Sequence, residues 1–263
     1  MSHDHLELAR LTRDEVAARA ADAVLVVPTA AVEQHGPHLP LGTDALIGEA
    51  VAREALSRVE DADRFVLAPV LPYGSSHHHL AYAALSLGSG SFLAAVADLL
   101  RSAVSSGFRR VYVLNSHGGN VEGVRQAARD VALTREAVIG SCSYWDVSRA
   151  AIAEAGTVAA GLVPGHAGQF ETSLMLAIAP ELVRLDRLPR GDHAGPLAAG
   201  VSAEGSAIEA HGDWTRMDGF TDVPASPSAE TGRALLRVIG ERVADALAEF
   251  RRLSDAAVRG WRA

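Results

Sequence analysis

Apolar positions in this chain follow two rhythms. Short runs of β-branched and apolar residues, Val24 to Val27, Phe65 to Val70, Val111 to Asn115 and Val138 to Ser143, read as strands. Between them, apolar residues recur at helical spacing and predict helices near 13–21, 44–58, 91–106, 120–135, 146–155, 168–178 and 228–252. The last opens with PSAE, where Ser228 is placed to cap the helix after Pro227. Strands that are apolar without interruption are buried on both faces, so the alternation predicts an α/β fold with a largely parallel sheet. The stretch 189–226 breaks the rhythm: it is rich in Gly, Pro, Asp and His. A loop of that length inside a compact domain suits a lid or a subunit-contact arm, and the whole of 1–263 reads as one domain.

Composition narrows the function. An apolar content of 48% over 263 residues suffices for a sizeable core. A formal charge of -8 and a pI near 5.7 argue against nucleic-acid or membrane partners, both of which need a basic face. The opening MSHDHLELARLTRDE has no basic segment followed by an apolar run, so a cytoplasmic location is expected. All 24 basic residues are arginine. Without lysine, Schiff-base chemistry, pyridoxal phosphate attachment and a P-loop are excluded. The single cysteine, Cys142, sits in an apolar strand-like run and reads as a buried thiol.

In open α/β sheets ligands bind beyond the carboxyl ends of the strands, and the loops at three strand ends are unusual. PTAAVEQHGPHLPLGTD follows the first strand, LPYGSSHHH the second and NSHGGN the third. Glu33 and His35 lie two apart, so an extended backbone points both side chains the same way. Asp44 stands at the expected start of a helix, either as a cap or as a further ligand. Carboxylates with an imidazole and no thiolate form a set that suits Zn²⁺, Mn²⁺ or Fe²⁺. His117 ends the third strand, Gly118 and Gly119 let backbone approach a substrate, and Asn120 opens a helix whose amides favour an oxyanion. A fourth segment, PGHAGQFETS, places His166 beside Glu171, which enters an apolar helix either as a metal ligand or as an acid favoured by the helix dipole. His77, His78 and His79 would alternate sides if extended, which suits rim or supporting roles, while Trp145 offers an aromatic wall.

On these motifs the chain resembles the creatininase family of amidohydrolases, from about Val24 to the Leu235 region. The EQHGPHLPLGTD-like loop spans Glu33 to Asp44, and the HGGN-type loop and the HAGxFETS segment follow in the right order. The resemblance implies a three-layer α/β/α sandwich and a homo-oligomer, often a hexamer. It also implies two divalent ions per chain, Zn²⁺ or Mn²⁺ with Fe²⁺ as a further option. The implied metal ligands are Glu33, His35, Asp44 as the bridge, and His117. Creatininase proper carries a glutamate where this chain has Gly119, so Glu171 is the candidate for the fifth ligand. Trp145 matches a substrate-stacking tryptophan, whereas Leu162 and Gly165 replace a tryptophan and a glutamate of the creatinine pocket, so creatinine itself is not the expected substrate.

The expected reaction is attack by metal-bound hydroxide on the amide carbonyl of a small molecule. His166 and Glu171 serve catalysis, and Trp145, Gly118, Gly119, Asn120 and His78 contact substrate. Peptidases that trim the mycofactocin precursor and formamide deformylases are the alternatives within the family. A serine hydrolase centred on Ser116 lacks the first glycine of G-x-S-x-G, since Leu114 stands there. A non-catalytic anion-binding module is disfavoured by three acids converging without metal.

Overall fold

The computed structural model describes residues 7–156, 163–190 and 208–261. Leu162, His193, His3, His5 and most of the 189–226 arm up to residue 207 lie outside the described residues. Four strands, β1 (Val24–Thr29), β2 (Phe65–Leu67), β3 (Arg110–Asn115) and β4 (Val138–Ser143), form one all-parallel sheet in the order β2-β1-β3-β4. Ahead of and between the strands run α1 (Arg13–Arg19), α2 (Thr43–Leu56), α3 (Ser89–Ser105) and α4 (Val121–Ala132). After β4 come α5 (Tyr144–Ala155), α6 (Gln169–Ile178), the short α7 (Asp213–Arg216) and α8 (Ala229–Trp261).

The period-two alternation of each strand divides the core. Leu25, Val27, Val111 and Val113 face one layer with Phe92 and Val96 of α3 and Val124 of α4. Val24, Val26, Tyr112 and Leu114 face the other, packed with Ile47 of α2, Leu174 of α6 and Leu235 and Ile239 of α8. The molecule is therefore a three-layer α/β/α sandwich, and β1 and β3 are buried along their whole length because both faces are covered.

Two element boundaries differ from the sequence reading. β2 stops at Leu67 because Pro69 cannot donate to a ladder; pairing resumes only as an isolated bridge between Thr29 and Leu71. α8 runs nine residues past the expected end, since Ser254 and Val258 continue its buried stripe. Ser228 caps it as expected, its Oγ accepting the Thr231 N–H at 3.1 Å. Among the described residues no helix is long and apolar enough to cross a membrane.

Candidate metal and active site

Parallel register brings the carboxyl ends of β1, β2 and β3 side by side, and the loops that follow them converge there. The first loop lies between two others: Glu33 N–H donates to Leu41 O, Gln34 N–H to Ala83 O and Leu85 N–H to Val32 O. This irregular three-layered ribbon holds Glu33 and His35, at 1% and 0% exposure, in the floor of the site. α2 starts at Thr43 with Gly42 as its cap residue, so Asp44 is not the cap; it sits in the first turn with its carboxylate directed at the strand ends. His117 enters from the end of β3, and Glu171 from the first turn of α6.

Asp44 is the centre of the arrangement. Its Oδ1 lies 3.1 Å from His35 Nε2 and its Oδ2 lies 3.1 Å from His117 Nδ1. Glu33 Oε1 is 3.2 Å from the same His117 nitrogen, and Glu171 Oε2 is 3.8 Å from His35 Nε2. Three imidazoles share one design. His35 Nδ1 sits 3.1 Å from Glu33 O, His117 Nε2 3.1 Å from Ser75 O, and His166 Nε2 2.8 Å from Gln34 O. With one nitrogen donating to a main-chain carbonyl, the other carries its lone pair toward the carboxylates, the orientation that supporting hydrogen bonds impose on metal-ligating histidines.

The residues fit divalent ions. Glu33 Oε1 and Asp44 Oδ2 are buried with no well-aligned hydrogen bond and both face the single His117 Nδ1, at 3.2 and 3.1 Å, a costly state unless a cation, whether a proton on that nitrogen or a metal ion, stands among them. Ligand atoms of His35, Asp44 and Glu171 lie within 4.8 Å of one another, as do those of Glu33, His78 and His117, and of Glu33, His35 and His166. All donors are nitrogen or oxygen, the set favoured by Zn²⁺ or Mn²⁺.

Protons substitute for the cations in the metal-free protein. Burial alone would depress His35, but Asp44, Glu171 and Glu33 outweigh it and carry the imidazole up to about 10. His117 is likewise raised against its burial, by Glu33 and Asp44. Burial disfavours charge on Glu33 too, yet the positive His117 beside it holds its carboxyl well below the usual range. Burial pushes Glu171 up to about 8, assisted by Asp44 and opposed by His35. Burial depresses His166 well below 6.5 and His79 to about 3, so both are neutral at pH 7. Metal binding at pH 7 is therefore expected to expel protons from His35, His117 and Glu171. Apparent metal affinity should fall as pH is lowered from about 8 toward 6, since each proton taken up by the free site competes with the ion. Calorimetry in two buffers of different ionisation enthalpy reads the count, and a release below one proton per chain would contradict these charge states.

A cavity of about 970 Å³ opens above the cluster. Glu33, Asp44, His117, His166 and Glu171 form its base, and His78, Gly118, Gly119 and Trp145 its walls. Asn120 is not among the lining residues: it is fully buried, with its Oδ1 accepting from Ser75 N–H at 2.9 Å and its Nδ2 donating to Ala30 O at 3.1 Å. Asn120 is thus a clamp between loops and not a substrate contact. Ser116 borders the cavity but turns its hydroxyl away, 2.9 Å from the carbonyls of Thr29 and Asp44, so the serine-hydrolase reading loses its nucleophile. Gly119 has no room for a side chain, because a Cβ there would meet Ser75 O at 2.1 Å.

Several participants escaped the sequence reading. His77, His78 and His79 form a 3₁₀ turn, not an extended segment, which turns successive side chains about a third of a circle. His77 is exposed at the cavity rim, His78 stands in the wall and His79 is buried beneath, stacked on His166 with ring centroids 4.2 Å apart. Gln34 Nε2 donates to His79 Nδ1, 2.9 Å away, and to Gly219 O, and packs 3.0 Å from His166 Nε2, whose own N–H is given to Gln34 O. Ser76 donates its hydroxyl to Glu33 Oε2. Trp214 of α7 leans on His78, His79 and His166 at 4.6–5.5 Å and lines the cavity with its neighbours Asp213 and Thr215. A histidine run and a conspicuous tryptophan were the available signals, but nothing local tied either to Glu33.

Comparison with known proteins adds independent findings. Residues 9–247 match the family described as creatinine amidohydrolase. A mycofactocin precursor peptide peptidase of Mycobacterium ulcerans (strain Agy99) is 35% identical, across 87% of this chain and 84% of its own. A creatinine amidohydrolase of Pseudomonas putida is 30% identical, across 91% of this chain and 95% of its own. A solved manganese creatininase superposes with a TM-score of 0.76 at 30% identity, covering 93% of this chain and 98% of the other.

Proposed function

The chain belongs to the creatininase family of hydrolases that act on C–N bonds, and from that premise we propose that its site holds two divalent ions bridged by Asp44. The carrying observation is the division of Asp44, one oxygen toward His35 and the other toward His117, with Oδ2 and Glu33 Oε1 lacking well-aligned hydrogen bonds. Glu33 and His117 would complete one ion's ligands, and His35 and Glu171 the other's. Ions held there supply Lewis acidity, lowering the pKa of a coordinated water toward about 7 and polarising an amide carbonyl.

The chain's own groups handle protons, position and water. His166 holds its Nε2–H against Gln34 O, which leaves Nδ1 as the lone-pair nitrogen, 3.6 Å from Glu33 Oε1 at the base of the cavity. That nitrogen accepts a proton from the attacking water and returns it to the departing amide nitrogen. Glu171 is oriented by the Ala167 N–H, which donates to its Oε2 at 2.6 Å. Trp145 and Trp214 present apolar walls that exclude water and hold the acyl or amine portion of the substrate.

The substrate is a small amide other than creatinine, because Leu162 and Gly165 omit a tryptophan and a glutamate that the resemblance assigns to the creatinine pocket. A peptide amide is the second reading, favoured by the cavity of about 970 Å³ and by the 35% identity to a precursor-peptide peptidase. For assembly we propose a homo-oligomer, whose contacts would cover exposed apolar side chains such as Leu80 at 59% and Leu85 at 61%. Elemental analysis of purified protein should find close to two divalent ions per chain. Activity on a panel of cyclic amides, formamides and short peptides should disappear with chelation and return with Zn²⁺ or Mn²⁺. Absence of bound metal together with no activation by added ions would remove this reading.

A further inference from the structure

At the opposite end of the sheet, Asp22 precedes β1, Arg64 precedes β2 and Arg110 opens β3, so parallel register sets them along one edge. α8 crosses this edge and contributes Arg251, Asp255 and Arg259, which at a spacing of four share one helix face. The six side chains line a cleft of about 260 Å³ together with Val258. Four guanidiniums face two carboxylates, a local excess of positive charge in a chain whose formal charge is -8.

The internal pairs use only part of that charge. Arg110, 5% exposed, donates from Nη1 to Ala21 O at 2.8 Å and its Nη2 lies 2.7 Å from Asp255 Oδ1 as an ion pair, yet neither its buried Nε nor that Oδ1 has a well-aligned hydrogen bond. Arg251 reaches Asp22 O at 3.1 Å and lies 3.7 Å from Asp255 Oδ2. Among the described residues neither Arg64 nor Arg259 has a carboxylate partner. A buried guanidinium nitrogen left unpaired is costly, and the exposed Arg64 and Arg259 beside it add positive charge that the two carboxylates of the cleft do not balance.

We propose that this cleft binds a phosphate group, as free phosphate or as a phosphate monoester. A tetrahedral dianion matches the excess charge and the forked N–H geometry of arginine, and the cleft exceeds its size. Strands of six residues separate the cleft from the catalytic end by about 20 Å, so a ligand there touches none of the metal-site residues. Occupancy would tie α8 to the starts of β1, β2 and β3.

The test is thermal denaturation and calorimetry of the purified full chain with inorganic phosphate and, separately, glycerol 3-phosphate, against chloride at equal ionic strength. Wild type should show saturable binding and a Tm rise of about 2–4 °C at saturation. The exposed double variant Arg64→Gln/Arg259→Gln should lose affinity by about tenfold or more while keeping its fold. A control double variant with the same charge change elsewhere, Arg13→Gln/Arg101→Gln, should bind as wild type does. The tighter of the two ligands identifies the source of the phosphate group. No saturable binding of either, or equal binding by Arg64→Gln/Arg259→Gln, would overturn the proposal and leave an adventitious ion only.

Discussion

Asp44→Asn is expected to empty both metal positions and to lower kcat/KM by about 10³-fold or more. Each Asp44 oxygen faces a different imidazole at 3.1 Å, so the substitution removes charge from both ions at once and sets an N–H₂ donor against His35 or His117. Loss of several kcal/mol of electrostatic stabilisation corresponds to that factor, at 1.36 kcal/mol per tenfold. The fold should survive. Asp44 lies in the first turn of α2 without capping it, so the helix keeps its start, and the cost in the metal-free state is that of uncovering the buried His35 and His117 charges, about 3–5 kcal/mol at pH 7. Metal content by elemental analysis, with Tm compared in the metal-free state, separates the two effects. Two ions retained in Asp44→Asn would rule out the bridge.

Glu171→Gln is expected to reduce metal content toward one ion per chain and activity by about 10²-fold or more. Burial raises the Glu171 carboxyl to about 8, so at pH 7 the metal-free protein already holds it neutral, and an amide of the same shape keeps the hydrogen bond from Ala167 N–H. Metal-free stability should therefore match wild type only below about pH 4.5, and at pH 7 the variant should be the more stable, because folding no longer has to protonate a carboxyl that is ionised in the unfolded chain. The sign follows from a folded pKa above the unfolded value. Wild type has this group's full contribution below about pH 4.5 and loses it progressively as pH rises toward about 8, a loss that the variant should not show. Two tightly held ions in Glu171→Gln would make Glu171 a helix-terminal acid only and leave the fifth ligand unassigned.

Much of this protein was legible in the order of its residues. Unbroken apolar runs located all four strands, and helical periodicity located seven helices, because burial on one face or two is written directly into local spacing. Glu33, His35, Asp44, His117, His166 and Glu171 stood out because each lies beside a strand end or helix start, where parallel α/β folds expose their ligands. The tertiary structure decided which atoms meet. His79 belongs to the site through contacts with Gln34 and His166, 45 and 87 positions away, and Trp214 through an arm that no periodicity foretold. A 3₁₀ turn, not an extended strand, selected the buried histidine from three identical neighbours. The exclusion of any side chain at Gly119 follows from Ser75 O, and the clamp at Asn120 from Ser75 N–H and Ala30 O; both depend on loops brought together across the sheet. Residue order determines propensity and burial, which act over a few positions. Strand register and helix packing determine distances between polar atoms remote in the chain, and at a buried site those distances set charge, protonation and the capacity to hold a cation.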